Sequence, residues 1–300
     1  MKKALVLGVN GYLGRHVGLS LKSNGFHVVG CGKGKPNETG FFDQYVSVDV
    51  TDKSQVEKLD VNVDLIFMFA GKTGTMQAFD EVDSFVASNE IGLLNVLNHM
   101  RNSKTSTRLV FPSTRLVYQG REGVLLPEDA DKSALTIYAA NKLACESYLE
   151  MYHNVFGINY TTYRICVPYG NLIGSTYSYG TIGFFLSRAM AGEDITLFGE
   201  GRQRRTFSHV QDISEIVVRY SQLNDTKQKT LNIGGADNFS LYDAANLVAN
   251  KFRVSVSYKD WPENLEKIES GDTIFSDDLL QQIAPYEYRH SLGSWLDNLG

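Results

Sequence analysis

What most constrains this chain lies at its start. An apolar run, Ala4–Val9, passes into a turn with glycines three apart, Gly8-Val9-Asn10-Gly11-Tyr12-Leu13-Gly14. A short continuous apolar run suits a parallel strand buried on both faces. From Tyr12 to Lys22 apolar residues recur at helical spacing, so the glycines stand between a strand and a helix. Glycine at such a junction permits a tight turn and close approach of a pyrophosphate to backbone N–H groups at the helix N-terminus. The third glycine lets helix and strand pack closely. The spacing is Gly-x-x-Gly-x-x-Gly rather than the commoner Gly-x-Gly-x-x-Gly, and a chain with 27 glycines produces some spacings by accident. Its position at the first strand–helix junction is what points to a dinucleotide.

Further strand patterns occur at Val28-Val29, Val46-Ser47-Val48, Leu65–Ala70, Leu109-Val110-Phe111 and Thr161–Val167. Helical patterns separate them, among them Phe85–Met100, with Val86, Leu93, Leu94 and Leu97 on its apolar side, and about Ile137 to Phe156. This alternation predicts an α/β fold, a doubly wound parallel sheet of the Rossmann type. After about Gly170 glycine, tyrosine and short irregular segments become commoner. We therefore expect a dinucleotide-binding domain over 1–170 and a smaller C-terminal substrate lobe over 171–300, part of about 205–235 returning to the first domain.

Composition narrows the classes. The net charge of −5, with both signs mixed throughout, gives no reason to expect a nucleic-acid or membrane partner. No segment reaches the length of an apolar membrane span, and the first run is too brief for a signal-peptide core. Cys31, Cys145 and Cys166 are odd in number and widely spaced, reading as buried free thiols of a cytoplasmic protein. The six histidines show no paired ligand spacing, so no metal site is expected.

Three stretches carry candidate chemistry. After the second strand, where an acid commonly binds the ribose 2′-hydroxyl of NAD, the chain reads Gly30-Cys31-Gly32-Lys33-Gly34-Lys35. Either its lysines face water, or Lys33 receives the 2′-phosphate of NADP; the missing acid slightly favours NADP. Tyr138 and Lys142 are four apart on one helix face, a spacing that also arises in ordinary surface pairs. A phenol has an unperturbed pKa of about 10, so a neighbouring ammonium would make it a useful base nearer neutrality. Ser113 and Thr114 end a strand, where ligands of open α/β sheets sit. Either hydroxyl could bind the oxygen that Tyr138 deprotonates, or serve as a local turn cap.

Together, Gly8-x-x-Gly11-x-x-Gly14, Asp49-Val50, Phe69-Ala70-Gly71, Asn89, Ser113-Thr114 and Tyr138-x-x-x-Lys142 occur in an order that resembles the extended short-chain dehydrogenases. Within them the chain is similar to the NAD-dependent epimerase/dehydratase family typified by UDP-glucose 4-epimerase. The resemblance implies that the turn (Gly8, Asn10, Gly11, Tyr12, Leu13, Gly14), Asp49, Val50, Phe69, Ala70, Gly71 and Asn89 bind the cofactor, with Lys33 added by the reading of the second strand's end. It implies that Lys142 also holds the nicotinamide ribose, that Tyr138 moves the proton, and that Thr114 is the catalytic hydroxyl with Ser113 just before it. Arg205 matches an arginine that clamps the diphosphate of a nucleotide-diphosphate sugar. The two helices Phe85–Met100 and Ile137–Phe156 correspond to those that pair in homodimers of the family. Two departures stand out: Val167 where an asparagine is frequent, and Glu269 where a second phosphate-binding arginine is common.

The residues beside Thr114 narrow the reaction. Dehydratases of the family usually carry an Asp-Glu pair there, whereas Arg115 and Leu116 follow here, and the glutamate of decarboxylating relatives is missing. The expectation is a nucleotide-sugar epimerase. The alternatives are an NADPH-dependent 4-keto-sugar nucleotide reductase and a non-catalytic NAD(P)-binding regulator.

Overall fold

The computed structural model describes residues 1–36, 39–174 and 179–299. Its strands, in chain order, are β1 (Lys3–Leu7), β2 (His27–Gly32), β3 (Gln44–Ser47), β4 (Leu65–Met68), β5 (Arg108–Thr114), β6 (Leu125–Leu126) and β7 (Asn159–Ile165). They continue with β8 (Val167–Tyr169), β9 (Ile195–Phe198), β10 (Arg204–His209), β11 (Lys229–Ile233), β12 (Asp237–Ser240), β13 (Val256–Lys259) and β14 (Ile274–Phe275). The chain forms two compact units, one of residues 1–117, 136–164 and 214–231, the other of 118–135, 165–213 and 232–300.

The first unit is built on a seven-stranded sheet in the order β11-β7-β5-β4-β1-β2-β3. β1 runs parallel to both β2 and β4, β2 to β3, and β4 to β5, so these strands end along one edge. This is the doubly wound α/β fold that the alternation predicts, and the order reverses beside β1, where such sheets open a crevice. Strand register explains the core. Leu5 and Leu7, Val29 and Cys31, Ile66 and Met68, and Leu109 and Phe111 alternate along four strands and therefore share one face. They pack with Leu93, Val96, Leu97 and Met100 of the helix Gly92–Asn102 and with Cys145 and Leu149 of the helix Ile137–Phe156.

The helical pattern over 85–100 is interrupted. Helix Val82–Val86 passes through a π turn, Ala87–Ile91, into Gly92–Asn102. The wider turn rephases the helix: Phe85, Asn89, Leu93, Val96, Leu97 and Met100 are buried, while Val86 and Leu94 are only half-buried. The helix Ile137–Phe156 starts at the cap Thr136, whose side-chain oxygen accepts from Ala139 N at 3.1 Å.

In the second unit β10 lies between β12, antiparallel, and β8, parallel. Asn232 holds the short β6–β14 ladder. Its amide donates to Leu126 O and Ser276 O, each at 2.9 Å, and its Oδ1 accepts from Tyr118 Oη at 2.7 Å.

The turn after β1 leaves no room for a side chain at Gly8 or at Gly14. Gly8 has φ +84°, and a Cβ there would lie 2.4 Å from Ala70 N. A Cβ on Gly14 would lie 2.2 Å from Gly8 O. Gly14→Ala should therefore destabilise the protein by about 1–3 kcal/mol, as overpacking does; urea unfolding at constant pH checks it, and an unchanged midpoint would count against this packing.

Candidate active site and cofactor cleft

A cleft of about 340 Å³ opens at the carboxyl ends of β1 to β4. Leu7 and Gly8 line it from β1 and its turn, with Asn10 beyond; Cys31, Gly32 and Lys33 line it from β2. Val48 and Val50 contribute after β3, Ala70, Gly71 and Lys72 after β4, and Ser88 from the π turn. Of the residues that the sequence nominates, Gly8, Asn10, Lys33, Val50, Ala70 and Gly71 line this space. The others do not line it. Gly11 N donates to Gly8 O at 3.0 Å, closing the turn. Tyr12, Leu13 and Gly14 form the first turn of the helix Tyr12–Ser23, where Tyr12 meets His16 edge to face. Phe69 stacks parallel to Phe67.

Asp49 meets Lys33 across the end of β2, with Oδ2 2.9 Å from the ammonium. Burial raises the Asp49 carboxyl, but hydrogen bonds from Lys33 and Thr51 outweigh it and hold it below the ordinary carboxylate range. Lys33 is largely exposed, so the pair contributes about 1 kcal/mol or less. Asn10 Nδ2 donates to Tyr45 Oη at 3.0 Å, while its buried Oδ1 has no partner among the described residues. Cys31 is a packing group: burial pushes its thiol up to about 12, so it stays protonated.

Asn89 is buried behind the cleft. Its Oδ1 accepts from Lys72 N at 2.8 Å and its Nδ2 donates to Lys72 O at 3.1 Å, which holds the Gly71-Lys72 loop as a strand partner would. Asn141, on the next helix, donates to Glu90 at 2.5 Å and lies 3.4 Å from Asn89 Nδ2. Lys72 lines the cleft itself, paired with Glu81 and 5.7 Å from the Phe85 ring centroid. Sequence reasoning overlooked Lys72, although a lysine directly after a glycine at a strand end was the available signal.

Tyr138 and Lys142 lie one turn apart on the helix Ile137–Phe156. Tyr138 is half-buried and Lys142 buried. The Lys142 ammonium donates to Pro112 O at 2.7 Å, 4.4 Å from the Phe111 ring centroid and 5.8 Å from that of Tyr138. Burial pulls its pKa down to about 8, against the opposing pull of Cys145 and Glu146. Below that value the amine carries its charge next to the tyrosine.

Ser113 and Thr114 are successive residues of β5 and so face opposite sides of the sheet. The Ser113 hydroxyl donates to Glu146 at 2.5 Å. Glu146 also accepts from Arg164 Nε at 3.0 Å and Nη2 at 2.6 Å, forming a buried bidentate pair. The structure thus ties Ser113 to this ion pair and brings Thr114 to the end of the strand, where its Oγ1 accepts from Leu116 N at 3.3 Å.

In the second unit Arg205 is 1% exposed on β10. It donates to Arg204 O at 2.8 Å and to Gly271 O, and it pairs with Glu269. Val167 is buried in β8 opposite Phe207. Among the described residues no cluster of His, Cys, Asp and Glu could hold a metal, all three cysteines are free, and no helix is long and apolar enough to cross a membrane.

Residues 4–234 match the model of the NAD dependent epimerase/dehydratase family. Similar proteins include CDP-paratose 2-epimerase of Salmonella typhi, 24% identical over 79% of this chain and 76% of the relative. UDP-glucuronate 4-epimerase 5 of Arabidopsis thaliana is 27% identical over 81% of this chain and 59% of its own length. The solved structure of UDP-glucose 4-epimerase with UDP-glucose from Thermotoga maritima superposes with a TM-score of 0.87, covering 98% of this chain and 96% of that one at 21% identity, a likeness of fold. With its doubly wound sheet and a family match over more than three quarters of its residues, the chain belongs to the NAD dependent epimerase/dehydratase family, enzymes of the extended short-chain dehydrogenase type.

Proposed function

We propose that this chain is a nucleotide-sugar epimerase in which Tyr138 is the acid/base. The observation that carries the reading is the buried Lys142 ammonium, fixed on Pro112 O one helical turn from Tyr138 at the carboxyl end of β5. An ammonium there stabilises the phenolate, so Tyr138 can take a proton from a sugar hydroxyl and give it back. Thr114 is the hydroxyl we assign to the same sugar oxygen, since Ser113 already donates to Glu146.

The cleft fits a dinucleotide. The Gly8 turn has no space for a Cβ, which lets a pyrophosphate come close to the N-terminus of the helix Tyr12–Ser23, and Asn10 Oδ1 offers a buried acceptor. Val50 and Asp49 would bracket the adenine, Ala70 and Gly71 the middle of the cofactor, and Lys142 the nicotinamide ribose. Tyr12, Leu13, Phe69 and Asn89 would shape these contacts. Bound there, NAD or NADP supplies the reversible hydride transfer that epimerisation needs. Arg205 would meet the substrate diphosphate. Relatives named for 2- and 4-epimerisation of nucleotide sugars support epimerisation.

The chain end of β2 favours a second reading, an NADPH-dependent 4-keto-sugar reductase. Gly32 stands where an acid would select NAD, and Lys33 follows it, although Lys33 already pairs with Asp49. We take the protein to be cytoplasmic, in keeping with its three free thiols, and homodimeric. Exposed Ile91, Met151, Val155 and Phe156 on the two helices support pairing of two copies.

Tyr138→Phe should lower turnover about 10²–10⁴-fold while cofactor affinity is kept. A panel of nucleotide-diphosphate sugars, followed at the reduced-nicotinamide absorbance band and by product analysis, checks this. Product without net cofactor change marks the epimerase and net oxidation of NADPH the reductase; full activity in Tyr138→Phe refutes the mechanism. The pH profile gives a second test. Lys142 is charged below about 8 and neutral above it, so kcat/KM should fall as pH rises through about 8. A profile flat from pH ~6.5 to ~9.5, a span centred on that value, would show that the amine's charge is not needed.

A further inference from the structure

The Arg205 guanidinium is held by its own chain through both terminal nitrogens. Nη1 donates to Arg204 O and Gly271 O, and Nη2 donates to the Glu269 carboxylate. The two partners differ in access: the Arg205 side chain is 2% exposed and that of Glu269 24%. Glu269 is held in place by its own turn, since Gly271 N donates to its Oε1 at 3.1 Å. The turn is tied to β10 without the charge pair. Thr273 N donates to Arg204 O at 2.9 Å, Thr206 N to Thr273 O at 3.3 Å, and Arg204 N to Asp272 Oδ1 at 2.7 Å. The segment therefore keeps its place when Glu269 lets go, and the carboxylate is the water-facing, exchangeable member of the pair.

A guanidinium fork binds an oxyanion from the chain or from a ligand, and the Glu269 carboxylate already takes one of the Nη2 donors. We infer that Glu269 is a built-in competitor for the substrate diphosphate at Arg205, one that a nucleoside diphosphate has to displace to take over the Nη2 donor it occupies. This rests on the proposed role of Arg205 as the diphosphate contact. Glu269 acts twice over: it occupies the donor, and its negative charge repels an incoming phosphate at short range. Glu269 thus sets how tightly nucleotide sugars bind and makes the second unit selective for ligands able to pull the carboxylate away.

Isothermal titration of the full chain with UDP tests the inference. Glu269→Gln, which removes the charge and keeps a side chain of the same length, should bind UDP at least tenfold more tightly than the wild type. Glu269→Asp, one methylene shorter, should fall between them and carries the test if the Gln variant does not fold. The gain should vanish when Arg205→Gln is added. Unchanged or weaker UDP binding in the Glu269 variants, or a gain that survives Arg205→Gln, overturns the inference. The titration involves no turnover, so its result is independent of whether Tyr138→Phe abolishes activity.

Discussion

The backbone of Gly8 is where three strand ends meet. Its N–H donates to Cys31 O at 2.8 Å, at the end of β2, while its α-carbon side faces Phe69 and Ala70 after β4 and its carbonyl faces Gly14. A side chain there would collide with backbone, which cannot move away as a flexible side chain could, and the φ of +84° is one that side-chain-bearing residues rarely adopt. The cleft, the entry of the first helix and the spacing of β1 from the loop after β4 all follow from this contact. The neighbouring elements are then placed by ordinary sheet register, with alternate residues of four strands forming the core face under the helices.

Buried charge is handled differently in different parts of the molecule. Arg164 and Glu146 neutralise one another in a bidentate pair that also holds Ser113. Arg108 instead donates only to neutral acceptors, Ser221 O, Leu223 O and Thr226 Oγ1, and burial lowers its pKa. Lys142 has a carbonyl oxygen and an aromatic face for partners. A charge so weakly compensated has its pKa drawn down to about 8, and below that value it keeps the proton whose charge the proposed chemistry requires beside Tyr138.

Much of this could be read from the residues alone, for identifiable reasons. The helix Ile137–Phe156 is bounded by local chemistry, Thr136 at its start and Gly157 at its end, so spacing and capping locate it. The glycine turn is legible because sterics leave few alternatives. The π turn is not, because it is stabilised by Asn89 bonding to Lys72, 17 residues away. Choosing between Ser113 and Thr114 needs the position of Glu146, 33 residues from Ser113. The pairing of Arg205 with Glu269 spans 64 residues, and an arginine that suits a phosphate looks the same in sequence as one already bound to a carboxylate. Nor does composition change at Val117 or Thr136, where the chain passes between its two units.

The link from Ser113 through Glu146 to Arg164 joins β5, the helix Ile137–Phe156 and β7. Local opening of a protein proceeds in cooperative pieces, and the buried ion pair between the helix and β7 leaves an uncompensated charge if either detaches, with β5 tied to it by the Ser113 hydroxyl. Amide protons in β5, β7 and the middle of this helix are accordingly expected to exchange together, as one unit. Tyr138 and Lys142 ride on that unit, so thermal breathing displaces them as a body with their supporting strand and leaves their spacing intact.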